Sequence, residues 1–166
     1  MMIPNFLKEY AHDMTILRID ENKKRYQDTH KQRIGTINSV LLGNVSREYY
    51  TEYIGILSEM IIRDRLDRDV LCSSYQVSTL IKKAELVYND CDITMVRDGE
   101  VKRISVKGCE GSMKANKQAI DSEDVDSVVF VIYKDPEKYI LKGFTPSQIR
   151  NWEVRSAFSD YYFREI

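Results

Sequence analysis

An α/β fold, with a central mixed β-sheet flanked by helices, is predicted by three features of the sequence: a long stretch of helical periodicity over residues 47–66, a strand pair closed by Asp98-Gly99, and the apolar run Ser127–Tyr133. Length and composition agree with this class. At 166 residues, 43% hydrophobic and 31% charged, the chain can bury the core of one domain, spanning 1–166. No run approaches the ~18 apolar residues of a membrane span, and Met1-Met2-Ile3-Pro4-Asn5 lacks the basic-then-apolar order of a signal peptide, so a cytoplasmic protein is expected. Cys72, Cys91 and Cys109 form no Cys-x-x-Cys pair and lie far from His12 and His30, which argues against a zinc cage and a disulfide framework. The net charge of -1 carries no global basic signature, yet binding of a polyanion depends on local charge, so nucleic acid stays open as a partner.

In chain order, residues 1–40 hold only short apolar islands, Phe6-Leu7 and Ile16-Leu17, followed by a charged stretch over 18–33. They read as an N-terminal arm or helical extension, with a solvated face as the ordinary meaning of such a charge run. Ser46 is an N-cap candidate for the helix over 47–66, with Glu48 in its first turn. Tyr50, Tyr53, Ile54, Leu57 and Ile61 share one face; Gly55, Ile62 and Leu66 form a narrower second stripe, so the helix is expected to be covered from two directions. Glu59 lies in that second stripe. A carboxylate among apolar neighbours is costly unless it is paired or binds a cation, which makes Glu59 a candidate ligand; the alternative is a covered stem with the head reaching water or a basic residue.

Residues 77–84 read as a short helix or turn and 85–88 as a short strand. The hairpin follows. If Asp98-Gly99 are the central residues of a tight turn, Arg97 pairs with Glu100, and counting outward sets Asp92 opposite Ser105. Alternation then puts Asp90, Asp92 and Thr94 on one face with Arg103, Ser105 and Lys107, and Cys91, Ile93 and Met95 on the other with Ile104 and Val106. The first face is expected to be a polar cluster and the second core. A three-residue loop would slip the register by one and send Asp92 and Ser105 to opposite faces.

Beyond Lys107, a glycine-bracketed loop, Gly108-Cys109-Glu110-Gly111, permits close backbone approach. Ser112 is expected to cap a helix over 113–120. Ser127–Tyr133 is nearly continuous in apolar, β-branched residues, as for a central strand buried on both faces, and Tyr139–Phe144 reads as its neighbour. Thr145 and Pro146 suit the cap and first position of a closing helix through Trp152.

A helical glutamate (Glu59), a hairpin with Asp92-Ile93 on one strand and Ile104-Ser105-Val106-Lys107 on the next, a helix, then Val128-Val129-Phe130-Val131-Ile132 and Tyr139-Ile140-Leu141-Lys142-Gly143-Phe144 resembles the PD-(D/E)xK nuclease superfamily over residues 46–152. The resemblance implies a restriction-endonuclease-like fold with an αβββαβ core and a magnesium- or manganese-dependent site. Asp92 matches the family's essential metal ligand, Lys107 its catalytic lysine, and the backbone carbonyl of Val106 a further ligand. The sequence departs from the family at Ser105, where the residue two before the lysine is usually Glu or Asp. Glu59 and Asp90 are the carboxylates that could compensate for Ser105.

These residue types suit phosphodiester hydrolysis. A divalent cation neutralises the phosphate and acidifies bound water; carboxylates hold the cation, and Lys107 would orient the attacking water and stabilise charge on the phosphate oxygens. Arg103, Lys114 and Lys117 are candidate contacts to the nucleic acid, with Arg63, Lys82 and Lys83 as further basic residues; for any one of them ordinary surface charge is the plainer meaning. The expected function is a metal-dependent endonuclease acting on DNA, with RNA open as a substrate. The alternative is a catalytically degenerate nuclease fold that binds nucleic acid or a protein partner, which the neutral Ser105 favours. A third is an unrelated α/β domain whose acids and lysine form surface ion pairs. With no separate recognition domain, selectivity would come from substrate structure or a partner protein; double-strand cleavage needs two sites, for which residues 1–40 could join a homodimer.

Overall fold

A computed structural model describes residues 1–21, 35–69, 92–97 and 99–166. The helix and strand expected over 77–88, most of the charged stretch over 18–33, Asp90 and Asp98 lie outside the described residues.

The elements run α1 (Asn5–Glu21), β1 (Thr36–Ser39), β2 (Gly43–Ser46), α2 (Arg47–Asp69), β3 (Ile93–Arg97), β4 (Glu100–Cys109), β5 (Ser112–Asn116), α3 (Lys117–Asp121), β6 (Ser127–Tyr133), β7 (Tyr139–Phe144), α4 (Pro146–Ile149), β8 (Glu153–Ser156) and β9 (Asp160–Glu165). The result is an α/β structure, with mixed and antiparallel sheets flanked by helices. Its main sheet has the order β3-β4-β6-β7, with β4 and β6 parallel and the other two pairings antiparallel. A second sheet, β5-β9-β8, and the hairpin β1-β2 are wholly antiparallel.

The apolar alternation of β6 shows why its sequence is nearly continuous in hydrophobic residues. Val129, Val131 and Tyr133 turn to a core built with α1 and α2, where Leu7, Ala11, Ile54, Leu57 and Ile61 are buried. Val128, Phe130 and Ile132 turn to a second core with Met113, Ala115, Ile120, Ile149 and Tyr162. A strand between two cores has no face to spare for polar residues.

Ser46 caps α2 by accepting from the Tyr49 N–H at 3.2 Å. The helix packs on both α1 and the main sheet, and Ile62 and Leu66 of its second stripe join the first core while Gly55 is exposed. Of the two forms expected for the N-terminal residues, arm or helical extension, residues 5–21 form the helix, α1, whose Leu7 and Ala11 pack into the first core. Arg97 pairs with Glu100 and Ile93 with Ile104, the register of an even loop, with Gly99 at φ +79°. Thr145 and Gln148 form a reciprocal capping box on α4 with Pro146 in the first turn.

Three expectations are corrected. Residues 112–116 form a strand, with Met113 and Ala115 buried and Lys114 and Asn116 exposed; the helix expected from 113 starts only at Lys117, capped by Asn116, whose side chain accepts from the Ala119 N–H. The closing helix ends at Ile149 rather than Trp152, and two unforeseen strands follow, of which β9 pairs with β5. Gly108 and Cys109, expected in a loop, are the last residues of β4; on the face expected to be a polar cluster, Thr94 is 0% and Ser105 7% exposed while Lys107 is exposed.

Candidate active site

Asp92 sits at the entry to β3, where the hairpin ladder is one residue out of step. Its N–H donates to the Ile104 carbonyl at 3.1 Å although Ile93 is the register partner of Ile104, so two residues lie against one, as in a β-bulge. A bulge re-aims a side chain, and here the carboxylate turns to the backbone of β4. Oδ2 of Asp92 accepts from the Val106 N–H at 2.7 Å and from the Ser105 hydroxyl at 3.4 Å. The carboxylate thus serves Val106 where the backbone ladder would otherwise continue. In an extended strand the N–H and C=O of one residue face the same edge, so the Val106 carbonyl also faces the edge that Asp92 occupies.

Glu59 approaches from α2, which crosses β4 closely at Gly108. A Cβ built on Gly108 would lie 2.3 Å from Ser58 Oγ and 2.9 Å from the Ile54 carbonyl oxygen, so only glycine admits the helix at this distance. The next residue after Ser58 is Glu59, held by Arg63 one turn on. Arg63 Nε donates to Glu59 Oε1 at 3.0 Å, and Nη2 lies 2.9 Å from the same oxygen. Nη2 also donates to the Asp92 backbone carbonyl at 3.1 Å. One guanidinium therefore spans the helical acid and the peptide of the strand acid. Of the two meanings open for Glu59, the structure has its head paired with a basic residue.

Ser105 and Lys107 share the opposite face of β4 from α2, as the register requires, and both line a cavity of about 130 Å³ walled by Ala115, Asn116, Ala119, Ile120, Val125 and Val128. Ser105 is buried and Lys107 exposed. Arg103 is engaged elsewhere: its guanidinium and N–H both bind Asp126, at 3.2 Å and 2.8 Å, and Nη2 donates to the Glu123 carbonyl, tying β4 to the turn before β6. The guanidinium holds the Asp126 carboxyl below its usual range, through the hydrogen bonds first. Lys114 stands on β5 over the Tyr161 ring, and Lys117 on α3 pairs with Asp121, so the two expected to share a helix belong to different elements.

Among the described residues no three His, Cys, Asp or Glu side chains come together as a metal site. The oxygens available are the Asp92 and Glu59 carboxylates and the Val106 carbonyl, hard donors of the kind magnesium accepts with waters completing its shell, and a cationic group already lies between Glu59 and Asp92. The donor chemistry fits such an ion. Arg63 entered the sequence reading only as a basic contact; its spacing four residues after Glu59 is the signal that would have paired them. Comparison with protein-family models, curated proteins and solved structures returns no match to the chain.

Proposed function

We propose that the protein is a metal-dependent nuclease of the PD-(D/E)xK type, hydrolysing phosphodiester bonds of DNA. The observation that carries this reading is that Arg63 ties Glu59 to the backbone carbonyl of Asp92, whose carboxylate in turn accepts from Ser105 and the Val106 N–H on β4. Asp92, Glu59 and the Val106 carbonyl would hold magnesium or manganese, which neutralises phosphate charge and lowers the pKa of bound water. Ser105 steadies the Asp92 carboxylate by donating to it. Lys107, exposed on the face of β4 turned away from α2 and two residues from Ser105, would position the water and meet charge developing on the phosphate oxygens. Asp90 and the basic residues Lys114 and Lys117 are secondary candidates, for the ion and the strand respectively.

The test is nicking of supercoiled, linear and single-stranded DNA, and of RNA, with magnesium, manganese or chelator. Asp92→Asn and Lys107→Ala should each lower metal-dependent cleavage by on the order of 10²-fold. Equal cleavage by wild type and both variants would sink the assignment. A second reading, a scaffold that binds nucleic acid without cutting it, is favoured by one observation: the acid usual at position 105 is a serine that only hydrogen-bonds Asp92. It predicts DNA binding that is indifferent to both chelator and Asp92→Asn.

A further inference from the structure

We infer that Arg63 is a resident cation of this site, holding Glu59 in the metal-free protein and releasing it when a divalent ion binds. The inference rests on the metal-site reading above and concerns what sets the ion affinity. Two donors of the Arg63 guanidinium lie on the single oxygen Oε1 of Glu59, and one of them also holds the Asp92 carbonyl. While that arrangement lasts, the Oε1 lone pairs face a guanidinium and are not directed at an ion beside the Asp92 carboxylate. The fork has a fixed planar shape, so while it holds both groups its donors occupy the Oε1 positions that an incoming ion would share.

The pair is built to let go. The Arg63 and Glu59 side chains are 34% and 29% exposed. An ion pair open to solvent to this degree is weak and yields to a competing charge. The partner offered in its place is a doubly charged ion at hard oxygens, the stronger match for a carboxylate. Arg63 stays tethered to α2 one turn from Glu59, so its charge remains close after release and opposes the incoming ion by like-charge repulsion. Both effects lower affinity, and both vanish when the charge is removed.

The experiment is Mn2+ binding, followed by calorimetry and by the paramagnetic resonance of the free ion, on the full chain and on Arg63→Met, Arg63→Gln, Glu59→Gln and Asp92→Asn. Arg63→Met keeps the aliphatic stem; Arg63→Gln keeps a polar head, and thermal melting reports whether each folds. The expected result is Mn2+ affinity about three- to tenfold higher in both Arg63 variants than in wild type. The double variant Arg63→Met/Glu59→Gln should lose that gain. Arg63 variants that bind no more tightly than a wild type whose binding depends on Asp92 would overturn the inference and leave the nuclease reading standing. Absence of Asp92-dependent binding in every variant would overturn both. Binding that appears only once Arg63 is replaced would support the inference in its strongest form.

Discussion

Gly108→Ala should destabilise the protein by about 3 kcal/mol, a magnitude that follows from the closeness of α2 to β4. The new methyl would stand 2.3 Å from Ser58 Oγ, 2.7 Å from Ile54 Cγ1 and 2.9 Å from the Ile54 carbonyl oxygen, against ordinary contact from 3.4 Å. The first contact needs a shift of about 1.1 Å and the backbone contact about 0.5 Å. Ser58 cannot turn aside cheaply, since its hydroxyl bonds the Ile54 carbonyl at 2.5 Å and the buried Tyr133 hydroxyl at 2.7 Å. Overpacking costs about 1–3 kcal/mol, and an orphaned buried hydroxyl about 1–3 kcal/mol more if Ser58 gives way. Urea titration followed by the fluorescence of Trp152, the single tryptophan, would read the change. At about 2 kcal/mol per molar the midpoint should fall by on the order of 1.5 M, and a fall under about 0.3 M would refute the packing argument. Because Ser58 precedes Glu59, lifting the helix should also part Arg63 from the Asp92 carbonyl, so any folded Gly108→Ala protein is expected to cleave poorly.

Gly55 gives the opposite case. It lies in the same helix with nothing within 4 Å of a built Cβ, so Gly55→Ala should stabilise by about 0.5–1 kcal/mol; a lower urea midpoint would contradict this. At acid pH the Asp126–Arg103 contact matters. The Asp126 carboxyl is depressed in the folded state, so its contribution is present above the unfolded value near ~3.9 and is lost as pH falls through the lower folded value. Wild type should exceed Asp126→Asn in stability at pH 5 to 7 and approach it below pH ~4; a gap constant from pH 6 to 2 would refute the linkage. The Cys109 thiol is pushed up to about 12, by desolvation first and by the charge of Glu110. In a Cys72→Ser/Cys91→Ser protein at pH 8, Cys109 should react with a disulfide reagent on the order of 10³-fold more slowly than a free cysteine, and labelling at the denatured rate would rule this out.

What could be read from the sequence was whatever is set by neighbours along the chain. The cap at Ser46, the apolar faces of α2, the Asp98-Gly99 turn and the doubly buried β6 each depend on a few adjacent residues, and the structure has α2, the even register and β6 where they were expected. β5 escaped because Ser112 resembles a cap, although Ser-Met-Lys-Ala-Asn alternates with the period of a strand. Its partner lies more than forty residues on, in β9, and a pairing over that distance leaves no local mark. On the face expected to be a polar cluster, Ser105 is buried beside Ala115 and Asn116 of the same second sheet, a neighbour that no local pattern announces. At the site, alternation put Ser105 and Lys107 together correctly. The reach of Asp92 to the Val106 N–H follows from a one-residue offset at the start of β3, a detail of backbone geometry that a regular count passes over.

The pairing of β5 with β9 sets the order in which the molecule can be finished. Lys114, Ala115 and Asn116 are made more than forty residues before the strand that satisfies their backbone, which spans 160–165. Until it arrives, β5 is an unprotected edge of the sort that recruits other chains. Fragments stopping short of residue 160 should therefore aggregate, and they would also lack the support behind Ala115 and Asn116, which form part of the wall beside Lys107.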